Sequence, residues 1–243
     1  MRVPRVFVEE AIGQRSELWL AGDAANYVQR VLRLRAGDEL TLFDGSGGEH
    51  GAHVDRFERG AVRVVVDALR GVERESPFAI TLWQAPCRGD RMDHVIEKAT
   101  ELGVARIAPW LAKHAVVRLE GERAEQRRVH WQAVARSACE QSGRNRVPEV
   151  ATPQTLEDLI AHCPTTALKL ALRPEADARL NDLRVQPTSA VIVVGPEGGM
   201  THDEETLLEH ARFLSLSLGP RILRADTAGP ACIATLQALW GDG

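Results

Sequence analysis

An α/β protein with a small β-rich N-terminal part is the fold class this chain predicts, and three observations point to it. Residues 1–72 break into short apolar alternations separated by Gly, Asp and Ser clusters such as DGSGGEHG. From Phe78 onward, strand-like runs alternate with stretches of helical period, which implies a mostly parallel sheet covered by helices on both faces. Between the two lies GVERESP, Gly71 to Pro77, polar and carrying both Gly and Pro as a linker does. The expected domains are therefore 1–72 and 73–243.

In the first part VPRVFV, SELWLA, DELTLFDG, GAHVDRF and AVRVVVDAL read as strands that pack as a barrel or half-barrel. One helix interrupts them, with Asp23 as its expected N-cap and Ala24, Val28, Val31 and Leu32 at helical spacing. In the second part FAITLWQA is a strand and DRMDHVIEKATELG a helix, with Met92, Val95, Ile96, Ala99 and Leu102 on one face and Gly103 at C′. RIAP is the next strand, followed by a long helix from Glu122 to Ser142 that Gly143 closes. TTALKLAL, SAVIVV and FLSLSL complete the strands, and Leu156 to His162, His202 to Ala211 and Thr227 to Leu239 the helices. Trp83, Trp110, Trp131 and Trp240 are expected to serve packing, since large aromatics usually bury.

Composition narrows the function classes. At 243 residues and 44% hydrophobic content the chain can fill one large core or two small ones. No window approaches the roughly eighteen apolar residues of a membrane span, and MRVPRVFVEE lacks the pattern of an export signal, so a cytoplasmic protein without a membrane partner is expected. Cys87, Cys139, Cys163 and Cys232 are scattered without ligand spacing, as are the histidines, which argues for reduced thiols and no metal. A net charge of -4 gives no global attraction to nucleic acid. Two local clusters do: Arg30, Arg33 and Arg35, and Arg118 to Arg146 with seven arginines against four glutamates. Part of this is a bias of composition, because basic residues here are almost all arginine.

The chemistry concentrates in two loops. VIVVGPEGGMTHDEE runs a strand into a Gly-rich turn and then into a helix that Thr201 and Glu204 can open as a capping box. In open α/β sheets ligands sit beyond the carboxyl ends of strands, where this turn lies. It has neither the Gly-Lys-Ser/Thr of a phosphate loop nor GxGxxG, Pro196 lacks an N–H, and Glu197 repels phosphate oxygens. Its glycines still allow close backbone approach, which suits a neutral or cationic ligand such as an adenosine carrying a sulfonium. LSLGPRILRADTAGP, Leu216 to Pro230, places a second Gly-Pro after a strand end, with Arg221 and Arg224 near Asp226. That acid and an arginine could simply cap a helix. Two such loops at neighbouring strand ends can instead close on one ligand.

Together, GPEGG after a hydrophobic strand, LGPRILRADTA near the C-terminus, RGDRMDHVIEKATELGV and ACEQSGRNRVPEV resemble the ribosomal RNA small subunit methyltransferase E family of the SPOUT class. The resemblance spans nearly the whole chain. It implies a SPOUT-type C-terminal domain with a mostly parallel sheet and a trefoil knot, plus a small N-terminal PUA-like β-barrel for RNA. Periodicity alone gives an unknotted sheet. It further implies a homodimer through the C-terminal domain and methylation of N3 of a uridine in the decoding region of small-subunit (16S) ribosomal RNA, free or in the assembled subunit. S-adenosyl-L-methionine is the implied donor and S-adenosyl-L-homocysteine the product, with no metal.

Carried over by motif, the donor positions are Leu172, then Val194, Gly195, Pro196, Glu197, Gly198 and Gly199, then Leu218, Gly219, Arg221, Ile222, Leu223 and Arg224. Catalysis would fall to Arg224, with Asp226 or Glu140 taking the proton, although Glu140 could equally pair with Arg144. RNA contact would come from Arg30, Arg33, Arg88, Gln141, Arg144, Asn145 and Arg146. Where many relatives carry Arg-Thr-Glu-Thr this chain has Arg224, Ala225, Asp226 and Thr227, so the acid is shorter and the first hydroxyl is missing. A non-catalytic RNA-binding protein is a competing expectation, and intact donor loops speak against it. A nicotinamide oxidoreductase is another, disfavoured by the missing GxGxxG.

Overall fold

The computed structural model describes residues 3–115, 119–183 and 186–243, which leaves Arg118 of the second basic cluster outside the described residues. The chain forms two units: Met1–Glu75 together with Arg136–Val147, and Ser76–Ala135 together with Pro148–Gly243. The boundary drawn from sequence is a single linear cut. The segment 136–147, which carries the SGRNRV turn, nonetheless packs with the first unit.

In the first unit β1 (Arg5–Phe7), β2 (Glu17–Ala21), β3 (Glu39–Phe43), β4 (Glu49–Glu58) and β5 (Ala61–Arg70) form one sheet in the order β1-β3-β4-β5-β2. Only the β1–β3 pair is parallel. Alternation places Leu18 and Leu20 of β2 and Val62, Val64 and Val66 of β5 on a single buried face. Register shifts near Gly51 and Asp55 bend β4. The intervening helix α1 (Gly22–Asn26) is capped by Ala21 without a side-chain bond, with Asp23 inside its first turn. Asp23 is therefore not the N-cap, because Gly22 at φ +55° starts the helix one residue early. The helix continues as a wide π-turn, Tyr27–Val31, and ends with Arg33 in the left-handed conformation, where Leu34 N–H closes back on the Val28 carbonyl.

The second unit carries a six-stranded sheet, all parallel, in the order β11-β9-β10-β6-β7-β8. Its strands are β6 (Ala79–Gln84), β7 (Arg106–Pro109), β8 (Glu149–Val150), β9 (Leu168–Leu172), β10 (Ser189–Val194) and β11 (Leu214–Leu216). Its helices are α2 (Arg91–Glu101), α3 (Gly121–Ser142), α4 (Leu156–Ala161), α5 (His202–His210) and α6 (Ala225–Trp240). Val191 and Val193 of β10 face one side and cluster with Trp83, Trp110, Leu159 of α4 and Leu208 of α5. On the other side α6 packs on β6 and β10 and against α2. Gly229 makes that close packing possible, since a Cβ there would stand 3.3 Å from Leu82. The helix α3 begins in the second unit and ends in the first. Two-residue β8 escaped the sequence reading because it is too short to show a period.

Candidate functional site

Three neighbouring strands end level. Register sets Leu172 of β9 opposite both Val194 of β10 and Leu216 of β11, so the chain leaves β9, β10 and β11 at the same edge. The indole N–H of buried Trp110 donates to the Val194 carbonyl at 2.9 Å and fixes the point of departure. Next, Gly199 N–H closes a turn on the Pro196 carbonyl at 2.9 Å, with Gly199 at φ +79°, a conformation in which a side chain would strain.

The expected capping box then opens α5. Glu204 N–H donates to the Thr201 hydroxyl at 3.3 Å, and Thr201 N–H donates to the Glu204 carboxylate at 2.7 Å. The second carboxylate oxygen accepts Lys113 N–H at 2.8 Å, so a buried acid fixes the loop from two directions. The turn also packs tightly. A Cβ on Gly198 would come within 3.3 Å of His114, and one on Gly195 within 2.9 Å of Met200.

The second turn leaves β11, passes Gly219 at φ +120° and enters α6 through Arg224, whose carbonyl accepts both Thr227 N–H and Ala228 N–H at 2.9 Å. Both turns line one cavity of about 780 Å³, within the range of about 300–1,000 Å³ usual for small-molecule sites. Leu172, Val194, Leu216 and Leu218 give it an apolar wall. Arg91, Arg173, Arg221 and Arg224 balance Glu175, Glu197, Glu205 and Asp226 around it. Such a site has no net positive charge with which to reward a polyphosphate. Among the described residues Asp226 pairs with Arg91 rather than with Arg221 or Arg224. Its carboxylate lies 3.8 Å from the Nε of Arg91, whose Nη1 is 2.8 Å from Glu197.

Comparison with known proteins places the chain. Residues 74–237 match the RNA methyltransferase domain family and residues 20–67 the RNA methyltransferase PUA domain family. The ribosomal RNA small subunit methyltransferase E of Mycobacterium bovis is 34% identical over 90% of this chain and 85% of its own length. This chain belongs to the ribosomal RNA small subunit methyltransferase E family. The enzyme of that name from Neisseria gonorrhoeae, solved bound to S-adenosyl methionine, shares 37% identity over 99% of both chains with a TM-score of 0.91. A Legionella pneumophila structure in complex with bound SAM shares 36% identity over 100% of both chains with a TM-score of 0.95.

For this methyltransferase E relative, each donor position expected from sequence, from Leu172 through Arg224, lines the cavity, and so does Asp226. Motif reading passed over Arg91, Arg173 and Met200, which line it too. Arg91 had a usable signal, an arginine at a helix start two residues after Gly89, but a sequence gives no hint that two distant acids meet it.

The remaining expected residues divide by burial. Arg30, Arg33, Arg88, Gln141 and Arg146 are exposed, with Arg88 3.9 Å from Glu197 and Arg146 3.1 Å from Glu73. Arg144 and Asn145 are buried at 4% and 0% exposure. The Arg144 guanidinium pairs with Glu75, and Asn145 bridges Arg5 at 2.5 Å and the Val72 carbonyl at 2.6 Å. A guanidinium enclosed with a carboxylate presents no face to a phosphate, so the structure gives these two a place inside the first unit rather than on an RNA surface.

Glu140 is absent from the cavity lining and accepts Phe7 N–H at 3.0 Å within the first unit. Burial raises its carboxyl above the usual range, opposed by that hydrogen bond and by Arg5. The four cysteines are free, and burial pushes the thiols of Cys87, Cys139 and Cys232 up to about 12. Among the described residues no cluster of His, Cys, Asp and Glu could hold a metal ion, and no helix is long and apolar enough to cross a membrane.

Proposed function

We propose that this protein methylates N3 of a uridine in the decoding region of small-subunit ribosomal RNA, with S-adenosyl-L-methionine as donor. The observation that carries the reading is the pair of Gly-Pro turns lining one cavity at the level ends of β9, β10 and β11. The residues present fit the donor. Glycine at 195 and 198 lets the turn pack against Met200 and His114 and so shapes the cavity wall, the leucine and valine wall suits an adenosine, and the balanced charges suit a zwitterion with a sulfonium.

Bound there, the donor supplies an electrophilic methyl group whose bonding pair returns to sulfur as S-adenosyl-L-homocysteine leaves. The N3 lone pair of uridine forms the new bond, and the N3 proton passes to a base. Asp226 takes that proton in our assignment, because it lines the cavity whereas Glu140 is engaged with Phe7 N–H in the first unit. Arg224, at the mouth of α6, faces the negative charge that develops on the uracil oxygens. Holding both partners in reactive geometry can supply about 7–11 kcal/mol of such a displacement.

Arg30, Arg33, Gln141 and Arg146 of the first unit contact RNA, as does Arg88 of the second, while Arg144 and Asn145 shape the turn that presents Arg146. The knot, a homodimer through the C-terminal domain, a cytoplasmic location, and action on free RNA or the assembled subunit complete the proposal.

Mass mapping of small-subunit RNA from cells with and without the gene should show one methyl group lost from a uridine. An unchanged map would reject the substrate. Calorimetric titration with S-adenosyl-L-methionine giving no heat and no thermal shift would reject the donor and favour a non-catalytic RNA binder.

A further inference from the structure

The start of α2 contains a charge in an unfavourable place. Arg91 is the first residue of that helix, where the positive end of the peptide dipoles disfavours a cation, so the arginine is not there to stabilise α2. Its compensation comes from two acids far away in sequence. Nη1 lies 2.8 Å from Glu197 in the turn after β10, and Nε lies 3.8 Å from Asp226 in the first turn of α6. Arg88 lies 3.9 Å from the other oxygen of Glu197. The Asp226 side chain is only 15% exposed, which strengthens the influence of a single cation on its orientation. One guanidinium therefore touches both turns of the cavity while remaining half-exposed on its rim.

We propose that Arg91 is a positioning residue for methyl transfer, acting through Asp226: it holds that carboxylate aimed into the acceptor side of the cavity, and ties the turn carrying Glu197 to the same frame. The inference rests on the proposed role of Asp226 as proton acceptor. Arg91 stands on the cavity rim, away from the apolar wall made by Leu172, Val194, Leu216 and Leu218 at the strand ends, so its main effect falls on the acceptor side.

A double-mutant cycle on kcat, with donor affinity measured in parallel by calorimetry, tests this on the full-length protein. Asp226→Asn should lower kcat by about 10²-fold or more, the usual contribution of a general base. Arg91→Ala should lower it by about 10- to 100-fold, the cost of a misplaced reacting group. The double variant should be no slower than Asp226→Asn alone, because removing the cation matters only while the carboxylate is present. Arg91→Lys should recover part of the loss, and donor affinity should stay within about threefold throughout, less than the tenfold that corresponds to about 1.4 kcal/mol.

Losses that multiply in the double variant would overturn the inference and leave Asp226 as the base. Full activity in Asp226→Asn would overturn the base assignment and the inference with it. A tenfold loss of donor affinity in Arg91→Ala would place Arg91 in the donor site instead. If Arg91→Ala does not fold, Arg91→Lys with and without Asp226→Asn completes the same cycle.

Discussion

The turn after β10 and the turn after α3 make an instructive pair. Both are short, glycine-containing and rich in polar groups, GPEGGMT in one and SGRNRVP in the other. The first closes its backbone with neighbours in sequence, through the Pro196 to Gly199 turn and the Thr201 and Glu204 capping box, and leaves Glu197 at a cavity rim beside Arg91. The second is satisfied by residues about seventy or more positions away, Glu75, Val72 and Arg5, and buries Arg144 and Asn145 while Arg146 stays exposed. A turn whose backbone closes locally can leave its charged side chain at a cavity rim, whereas a turn whose side chains are claimed by distant partners gives them to the fold.

The sharpest way to break this comparison is Arg144→Ala, which leaves Glu75 without its buried partner. Loss of one member of a buried pair costs about 3–5 kcal/mol, and denaturant unfolding should show a drop of that order with donor affinity unchanged. A change below about 0.5 kcal/mol, the level of an ordinary surface substitution, would return Arg144 to the RNA surface.

A smaller effect of the opposite kind is expected at the first turn. In Gly198→Leu the new side chain has to displace His114, whose Cβ lies 3.3 Å from the position of a Cβ at residue 198. Overpacking of this kind costs about 1–3 kcal/mol. The expected readout is a donor affinity reduced by about 10- to 100-fold at about 1.4 kcal/mol per decade, with the first unit unaffected. Unchanged affinity would remove this turn from the donor site.

Glu140→Gln should have the smallest effect and sharpens the contrast between the two carboxylates. Burial, opposed by the Phe7 hydrogen bond and by Arg5, holds the Glu140 carboxyl above its ordinary range, so the folded chain retains that proton more tightly than the unfolded one. The resulting stability is present below the ordinary carboxylate range and is lost as pH rises through the raised value. Replacement by the neutral amide should therefore remove a decline in stability on that stretch of the pH curve and leave kcat intact. A stability curve parallel to the wild type would deny the shift, and a large loss of kcat would restore Glu140 as the base.

Local signals made much of this protein legible before any coordinates. The capping box at Thr201 and Glu204, Gly103 and Gly143 closing their helices in the left-handed conformation, and strands such as Arg106–Pro109 and Ser189–Val194 all depend on residues a few positions apart. The helix entry at Asp23 was misread because Gly22 could begin the helix earlier than side-chain capping rules suggest. Resemblance found the cavity positions, because whole motifs encode strand ends and turns together.

Sequence alone thus determined the elements, the two glycine-proline turns and the family, since each is written in contiguous residues whose backbone preferences are local. Tertiary structure decided which arginines are available. Arg144 and Arg146 stand two positions apart in one turn, yet one is enclosed with Glu75 and the other faces solvent beside Glu73. It also decided that Arg91 meets Glu197 and Asp226. Burial and long-range charge pairing depend on how strands are ordered in a sheet, and the strand order β11-β9-β10-β6 is fixed by packing over the whole domain rather than by any single stretch of chain.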